Sequence, residues 1–409
     1  MLRRRVVVTG IGVVAPPISS SLDLWNALLR PGFSSLAASR DGSHVAVDSG
    51  DIPALSGISP RELRRIPLFA RYAIAAAAES LEQADVQWTP SLLLRGGVMA
   101  GSAAGGIAEL EQQQHAVGSR GVDRVSPFLI PRLIVNAASG NIATLHKLQG
   151  PCLSWSAGCA SGAVAIGEAF RLIQSGEADL MLAGGADAAL TRAGVSSLQA
   201  AGLLPDSLNT SAADGRPFDP DSRWFTPAEG AGFLMLEALE AAQQRGARIL
   251  AEISGYSSVF DPACEEHQIS SAEQLCRTMR LALQDAETEM AEIDVVCAHA
   301  IGIGCHDLEE ARAIAECWGS NSGSPLIVTG RSHLGHALGA TGAIDAAAGI
   351  CMLQHQLIPP AGRFQIVGAM PKATAEQHLP MSTSVQSLLL NSFSFGGQNA
   401  CLVIRGWRS

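Results

Sequence analysis

Nine short apolar runs, each closed by a glycine or a cluster of small residues, constrain this chain more than any other feature. They are "RVVVTGIGVV", "GGVMAGSAAGG", "CLSWSAG", "ADLMLAGGAD", "GFLMLEAL", "ILAEISGY", "VVCAHAIGIG", "LIVTGRSHLG" and "LLLNSFSFGG". Branched aliphatic residues ending in a small-residue turn read as buried strands. Several of them are separated by Ala-rich stretches, such as Leu68 to Ala84 and Leu308 to Cys317, whose apolar residues recur at helical spacing. Strand and helix in alternation predict layered α/β architecture. After the helical "ALEAAQQRGAR" a second series of strand, glycine and helix begins near Arg248. The pattern predicts two similar halves, 1–247 and 248–409, without obvious sequence identity between them. The 42 glycines among 409 residues exceed the usual share of roughly 7% and fit close-packed elements joined by tight turns. The turn-rich stretch 205–224 reads as an ordered surface excursion.

Charge and composition exclude some functions. A formal net charge of -10 argues against a nucleic-acid binder and against an anionic membrane surface as partner. Although 47% of the residues are hydrophobic, no uninterrupted run of about 20 strongly apolar residues suggests a membrane span. The opening "MLRRRVVVTGIGVVAPP" imitates a signal peptide, but its Val-rich, Gly-broken run reads as a strand and turn. Nine scattered cysteines without a CxxC pair fit a reducing, cytoplasmic setting.

Chemistry is concentrated at three turns. In "LSWSAGCASGAVAIGEAF", Leu153 to Ser156 reads as a short buried strand, and Ala163, Ile166, Phe170 and Ile173 then follow a helical period. Cys159 therefore lies at the turn into a helix, where unpaired N–H groups and the macrodipole favour an anion. For a thiol that anion is the nucleophile. A shift of its pKa from ~8.5 to ~7 would raise the thiolate roughly fifteenfold at pH 7. On that basis Cys159 is expected to be the one thiol alkylated rapidly at neutral pH. His299 in "VVCAHAIGIG" and His336 in "RSHLGHALGATGAIDA" each follow a strand-like run at a glycine-rich turn. Taken singly, a Cys in an apolar segment is usually inert and such a His usually structural. Three strand-end loops can nevertheless converge at one edge of an α/β sheet, and one Cys with two His then reads as thiol catalysis with two imidazole donors.

Across nearly the whole chain these and further motifs resemble the β-ketoacyl-ACP synthases, closest to the type II elongating enzymes. The motifs are "VVVTGIGVVAP", "VSPFLIPRLIVNAASGNIA", "SAGCASGAVAIG", "GEADLMLAGGAD", "GRPFDPDSRWFTPAEGAGFLMLE", "GHALGATGA" and "NSFSFGGQN", in that order. The resemblance implies a thiolase fold, with two βαβαβαββ halves in a five-layer αβαβα sandwich, usually dimeric. It implies that Cys159 carries the acyl chain as a thioester, with an oxyanion hole made by the N–H groups of Cys159 and Phe395. His299 and His336 would stabilise the enolate formed when a malonyl thioester loses carbon dioxide. No metal or organic cofactor is implied beyond the phosphopantetheine arm of an acyl carrier protein, which acts as substrate.

The chain departs from the family pattern at several positions. Arg331 and Asp345 stand where elongating synthases have lysine and glutamate, an exchange that can keep an ion pair. Guanidinium does not deprotonate in proteins, so the role expected of Arg331 is electrostatic. Ile301 and Ile303 stand where two threonine hydroxyls would meet pantetheine. Ala104 takes a place usually held by isoleucine, implying more room in the acyl pocket. Phe393 and Phe395 resemble the family's swinging gate, but Ser394 replaces the glycine between them. If that position needed φ > 0, the loop would move less freely. Arg61, Arg64 and Arg65 share one helical face in "SPRELRRIPLFARY" and, with Arg124, form the expected docking patch for an acidic carrier protein. The leading expectation is a 3-oxoacyl-ACP synthase performing decarboxylative condensation in a specialised fatty-acid-like or polyketide pathway, as a homodimer or heterodimer. Two alternatives stay open: a companion, chain-length-type subunit of a ketosynthase heterodimer, and a decarboxylase or acyltransferase that does not condense.

Overall fold

The computed structural model describes residues 3–30, 52–53, 55–206, 215–264, 270–319, 325–360 and 380–407, so part of the turn-rich stretch, 207–214, lies outside the described residues. The strands in chain order are β1 (Val6–Val14), β2 (Gly96–Gly101), β3 (Cys152–Trp155), β4 (Leu180–Asp187), β5 (Gly230–Ala238), β6 (Ala251–Phe260), β7 (Val295–Cys297), β8 (Leu326–Val328), β9 (Leu357–Ile358), β10 (Met381–Ser382), β11 (Ser387–Phe393) and β12 (Gln398–Gly406). Ten of them are hydrogen-bonded in the order β3-β2-β4-β5-β1-β6-β12-β11-β7-β8, and β9 pairs only with β10.

That order repeats itself about its centre. Outward from the β1–β6 pair, each side presents the first, fifth, fourth, second and third strand of its own series. The directions repeat as well: β1–β5 and β4–β5 are antiparallel while β2–β4 and β2–β3 are parallel, and β6–β12, β11–β12, β7–β11 and β7–β8 follow the same sequence of senses. The helices Ser161–Gln174 and Thr341–His355 each follow the third strand of their series and pack between the two sheet halves. Helices Leu68–Ala84 and Ala137–His146 cover the outer face of the first half, and Ala272–Asp285 with Gly304–Trp318 covers that of the second. The result is the five-layer αβαβα sandwich of the thiolase fold.

A helix layer enclosed by two sheets has no polar face, so amphipathic patterning is weak there and residue size decides. Throughout Thr341–Leu353 every residue is buried. Where the two central helices cross, a Cβ on Gly162 would stand 2.8 Å from the Gly339 carbonyl oxygen, and one on Gly342 would stand 3.0 Å from the Ala163 Cβ. Much of the Gly and Ala excess serves this approach.

Two sequence expectations change. The segment read as a buried strand is instead β3, at the edge of the sheet, with Leu153 50% and Trp155 40% exposed. Apolar composition marks a face that water leaves, whether into a core or into an interface, and the two look alike in sequence. Meanwhile β12, "QNACLVIRG", is absent from the nine strand candidates, although it pairs on both sides. It opens with Gln398 and Asn399 directly after a glycine turn, which hides its start. Helix Leu68–Ala84 has the expected limits, and Leu308 to Cys317 lies inside the longer Gly304–Trp318 helix. Among the described residues no helix is long and apolar enough to cross a membrane.

Candidate active site

Cys159 follows β3, His299 follows β7 and His336 follows β8, so all three sit beyond the ends of parallel strands. The fold brings their ligand-type atoms within 4.8 Å of one another, and all three residues are buried. The imidazole rings of His299 and His336 meet edge to face at 5.1 Å between centroids.

Each side chain is fixed by its own turn. Gly158 takes φ +54, and the Ser161 hydroxyl donates to the Gly158 carbonyl at 2.6 Å while accepting from the Ala157 N–H, which folds Cys159 over the start of the Ser161–Gln174 helix. The His299 turn is strained, with Ala300 at φ +32, a region costly for a residue with a Cβ. Buried Glu310 holds it there, accepting from the N–H groups of His299 at 2.9 Å and Ala300 at 2.7 Å and from Asn391 Nδ2 at 2.9 Å. Asp307, one turn earlier, accepts from the N–H groups of Gly302 and Phe218. His336 is held through its backbone, its N–H donating to the Thr226 carbonyl at 2.8 Å and its carbonyl accepting from the Ala228 N–H at 3.0 Å.

His336 Nδ1 accepts from the Leu338 N–H at 3.3 Å, which sets the tautomer with the proton on Nε2. His336 Nε2 and His299 Nδ1 are buried without a hydrogen-bond partner among the described residues. Orphaned polar atoms beside a thiol are the arrangement a thioester carbonyl satisfies. Burial holds both imidazoles neutral: it pushes His336 down to about 3 and His299 well below the ordinary histidine range, with each further lowered by the Arg331 cation. Since a depressed pKa means that the proton binds only below the folded value, both rings remain neutral donors as pH falls from 7.5 to 5.5. Decarboxylation at saturating malonyl-carrier is therefore expected to show no histidine inflection across that range, and a tenfold loss per pH unit below 6.5 would show that an imidazole is protonating.

Burial also decides the thiol. At 3% exposure the Cys159 thiol is pushed up to about 12, with Asp187 adding to the rise, and hydrogen bonds from the Phe395 N–H, the Ser394 side chain and its own backbone only partly offset this. The helix terminus therefore does not by itself bring the thiol to ~7. Rapid, exclusive alkylation of Cys159 at neutral pH gives way to a different expectation, because Cys152 and Cys305 are the exposed thiols.

The remaining expected positions fall around this centre. Arg331 and Asp345 form a buried ion pair, and Arg331 also donates to the Gly335 carbonyl at 2.8 Å. Desolvation raises the Asp345 carboxyl and the guanidinium pulls it back. Phe393 packs against His299 at 6.2 Å, and Phe395 against Phe225 at 6.2 Å and His306 at 5.3 Å. Ser394 has no positive φ; that conformation falls on Gly397 at +82. Ile301 and Ile303 are buried in an apolar cluster with Val195, Leu203, Leu204 and Phe225, and Phe395 packs against it. Ala104 is half-buried, its N–H held by Asp187 at 2.9 Å. Asp187 also accepts from Ser102, Ala103 and Gly339, tying the loop after β2 to the loop that carries His336. Arg61 lies in the short Pro60–Leu63 helix and Arg64 and Arg65 just beyond it, all exposed. Arg65 stacks on Phe128 at 4.6 Å, which joins this segment to the one bearing exposed Arg124.

Sequence reasoning did not single out Asp187, Asp307 or Glu310. Asp187 shows as an acid closing an apolar strand, where a buried carboxylate needs several donors, whereas Asp307 and Glu310 sit in the charged first half of a helix and carry no such mark. Among the described residues, Cys159, His299 and His336 are also the one Cys, His or acid cluster compact enough to ligate an ion. An ion there would occupy the sulfur and both imidazoles.

The family model of the β-ketoacyl synthase N-terminal domain matches residues 3–242, and that of the C-terminal domain matches 250–365. The 3-oxoacyl-(acyl-carrier-protein) synthase 2 of Rhizobium meliloti is 32% identical, over 98% of this chain and 99% of its own. Among solved structures, the ishigamide ketosynthase/chain length factor is 30% identical with a TM-score of 0.85, covering 99% of this chain and 100% of its own. A type II polyketide ketosynthase bound to a hexaketide and in complex with its acyl carrier protein is 27% identical with a TM-score of 0.83, over the same shares.

Proposed function

The chain belongs to the β-ketoacyl synthase family, and from that premise we propose that it condenses an acyl group held on Cys159 with a malonyl group on an acyl carrier protein. The observation that carries this reading is the meeting of Cys159, His299 and His336 within 4.8 Å, with imidazole nitrogens left to donate. Cys159 sulfur attacks the acyl thioester and the carrier's pantetheine thiol leaves. Malonyl-carrier then loses carbon dioxide; its bond pair becomes an enolate, held at the oxygen by His299 and His336. The enolate carbon attacks the acyl-cysteine, and the Cys159 sulfur departs as the 3-oxoacyl-carrier forms. Arg331 supplies a fixed positive charge and no proton. The enzyme uses no cofactor of its own, and phosphopantetheine enters as the substrate's arm.

The carrier is acidic and docks on Arg61, Arg64, Arg65 and Arg124, as their exposure and the stacking of Arg65 on Phe128 support. The working form is a dimer. An edge strand with exposed Leu153 and Trp155 is a template that proteins cover, and here the cover is a second ketosynthase-like chain, identical or related. Gel filtration with mass measurement is expected to give twice the chain mass, and Trp155→Glu to halve it; a monomeric wild type would remove the dimer. The repeated strand order supports a duplication with its seam at 247/248. The setting is the cytoplasm, in a specialised fatty-acid-like or polyketide pathway.

Product analysis with acyl-carrier and malonyl-carrier tests the reaction. A 3-oxoacyl-carrier with matching carbon dioxide is expected. Carbon dioxide alone would indicate a decarboxylase, acyl exchange alone an acyltransferase, and no product a companion subunit of a ketosynthase heterodimer. Donor choice is a second expected outcome. Ile301 and Ile303 cannot hydrogen-bond pantetheine, so malonyl on a pantetheine mimic is expected to be a poor donor beside the cognate carrier. Two neutral hydrogen bonds are together worth roughly five- to 150-fold. Ile301→Thr/Ile303→Thr is expected to narrow the gap in kcat/KM by a factor in that range, and no change would separate the isoleucines from donor choice.

A further inference from the structure

Ser394 is buried between the two gate phenylalanines, and its hydroxyl oxygen lies over the Gly158–Cys159 peptide. The Cys159 N–H donates to Ser394 Oγ at 3.2 Å, and the Gly396 N–H approaches the same oxygen at 3.5 Å. A hydroxyl has two acceptor lone pairs and one proton. With N–H groups on the acceptor side, that proton is free to turn toward the neighbouring Cys159 sulfur, and the Ser394 side chain draws the thiol's pKa down. The contact depends on a residue without a side chain beneath it: a Cβ on Gly158 would stand 2.1 Å from Ser394 Oγ.

We propose that the Ser394 hydroxyl is a catalytic group of this enzyme, donating a hydrogen bond to the Cys159 thiolate while its oxygen accepts from the Cys159 N–H. The inference rests on the reading of Cys159 as the nucleophile. It supplies what the rest of the site withholds. The groups around the sulfur are Asp187 at the end of β4, His299 beyond β7 and His336 beyond β8, while Arg331 acts on the two imidazoles. Both imidazoles are neutral, Asp187 works against an anion, and Arg331 is committed to Asp345. Neutral donors beside the sulfur, the Ser394 hydroxyl and the Phe395 N–H, carry the thiolate instead. The same hydroxyl occupies one oxyanion donor in the resting enzyme and yields it when a thioester carbonyl arrives.

The test is alkylation of Cys159 by iodoacetamide in the full chain, followed by peptide mapping between pH 7 and 9, in wild type, Ser394→Ala and Ser394→Gly. Exposed Cys305 serves as the internal reagent standard, and thermal denaturation verifies the fold. Both variants are expected to label Cys159 about tenfold or more slowly, the effect of one hydrogen bond to a charged group. Smaller side chains can only ease the reagent's entry, so slowing cannot come from access. Labelling at the wild-type rate or faster in either folded variant overturns the role of Ser394. A wild type that takes no acyl group from acyl-carrier onto Cys159 overturns instead the proposed function, whatever the alkylation rates.

Discussion

Cys159→Ala is expected to lower condensation by about 10⁴-fold or more while malonyl decarboxylation stays within about tenfold of wild type. The two half-reactions use different groups. Acyl transfer needs the sulfur as a covalent carrier, and no other nucleophile stands within the 4.8 Å cluster. Decarboxylation needs donors at the enolate oxygen, and these are held independently of Cys159. Glu310 fixes the His299 turn, while Thr226 and Ala228 fix His336 through its backbone. His336→Ala should therefore give the reverse result, a decarboxylation loss of about 10²- to 10³-fold with acylation of Cys159 largely retained. Carbon dioxide release, acyl-enzyme mass and 3-oxoacyl product are read in parallel. A Cys159→Ala enzyme that still makes 3-oxoacyl product would refute the nucleophile, and one that has also lost decarboxylation would refute the division of labour.

The repeat explains why so much of this site could be read from sequence. Cys159 and His336 stand at equivalent places, each beyond the third strand of its half and ahead of a central helix, and His299 follows the second strand of the second half. Short apolar runs ending in small residues announce those positions. What sequence could not announce was the balance of burial against the helix terminus at Cys159, because desolvation depends on which layers close over the turn. Nor could it separate the exposed edge strand β3 from a buried one. The acids Asp187, Asp307 and Glu310 were hidden for a related reason: most of their partners are backbone N–H groups of turns, from 5 to 152 residues away, and such groups carry no residue-specific mark. Ser394 was visible as a departure, but its partner, the Cys159 N–H, lies 235 residues away.

The Arg331–Asp345 pair carries the second large effect. Arg331 opens the short Arg331–Leu334 helix and Asp345 lies on Thr341–His355, so the pair spans the loop that bears His336. Both side chains are buried, and removing one partner of a buried ion pair typically costs about 3 to 5 kcal/mol, because the other charge is left uncompensated. Asp345→Ala is expected to destabilise by that amount and to lower decarboxylation as the His336 loop loosens. The informative variants exchange the pair for the lysine and glutamate of related elongating enzymes. Arg331→Lys gives up the second donor, which reaches the Gly335 carbonyl at 2.8 Å, and leaves a single ammonium short of an aspartate. Asp345→Glu inserts a methylene beside the central helix layer, a change that costs about 1 to 3 kcal/mol in a packed site. Together the longer acid reaches the ammonium, so the double variant is expected to be less destabilised than the sum by about 2 kcal/mol, within the range for residues in direct contact. Denaturant midpoints of the four proteins measure this coupling, and decarboxylation rates show whether His336 follows it. Costs that add to within about 0.5 kcal/mol would mean that the two residues tolerate exchange independently, and that the chain's arginine and aspartate do not stand in for that pair.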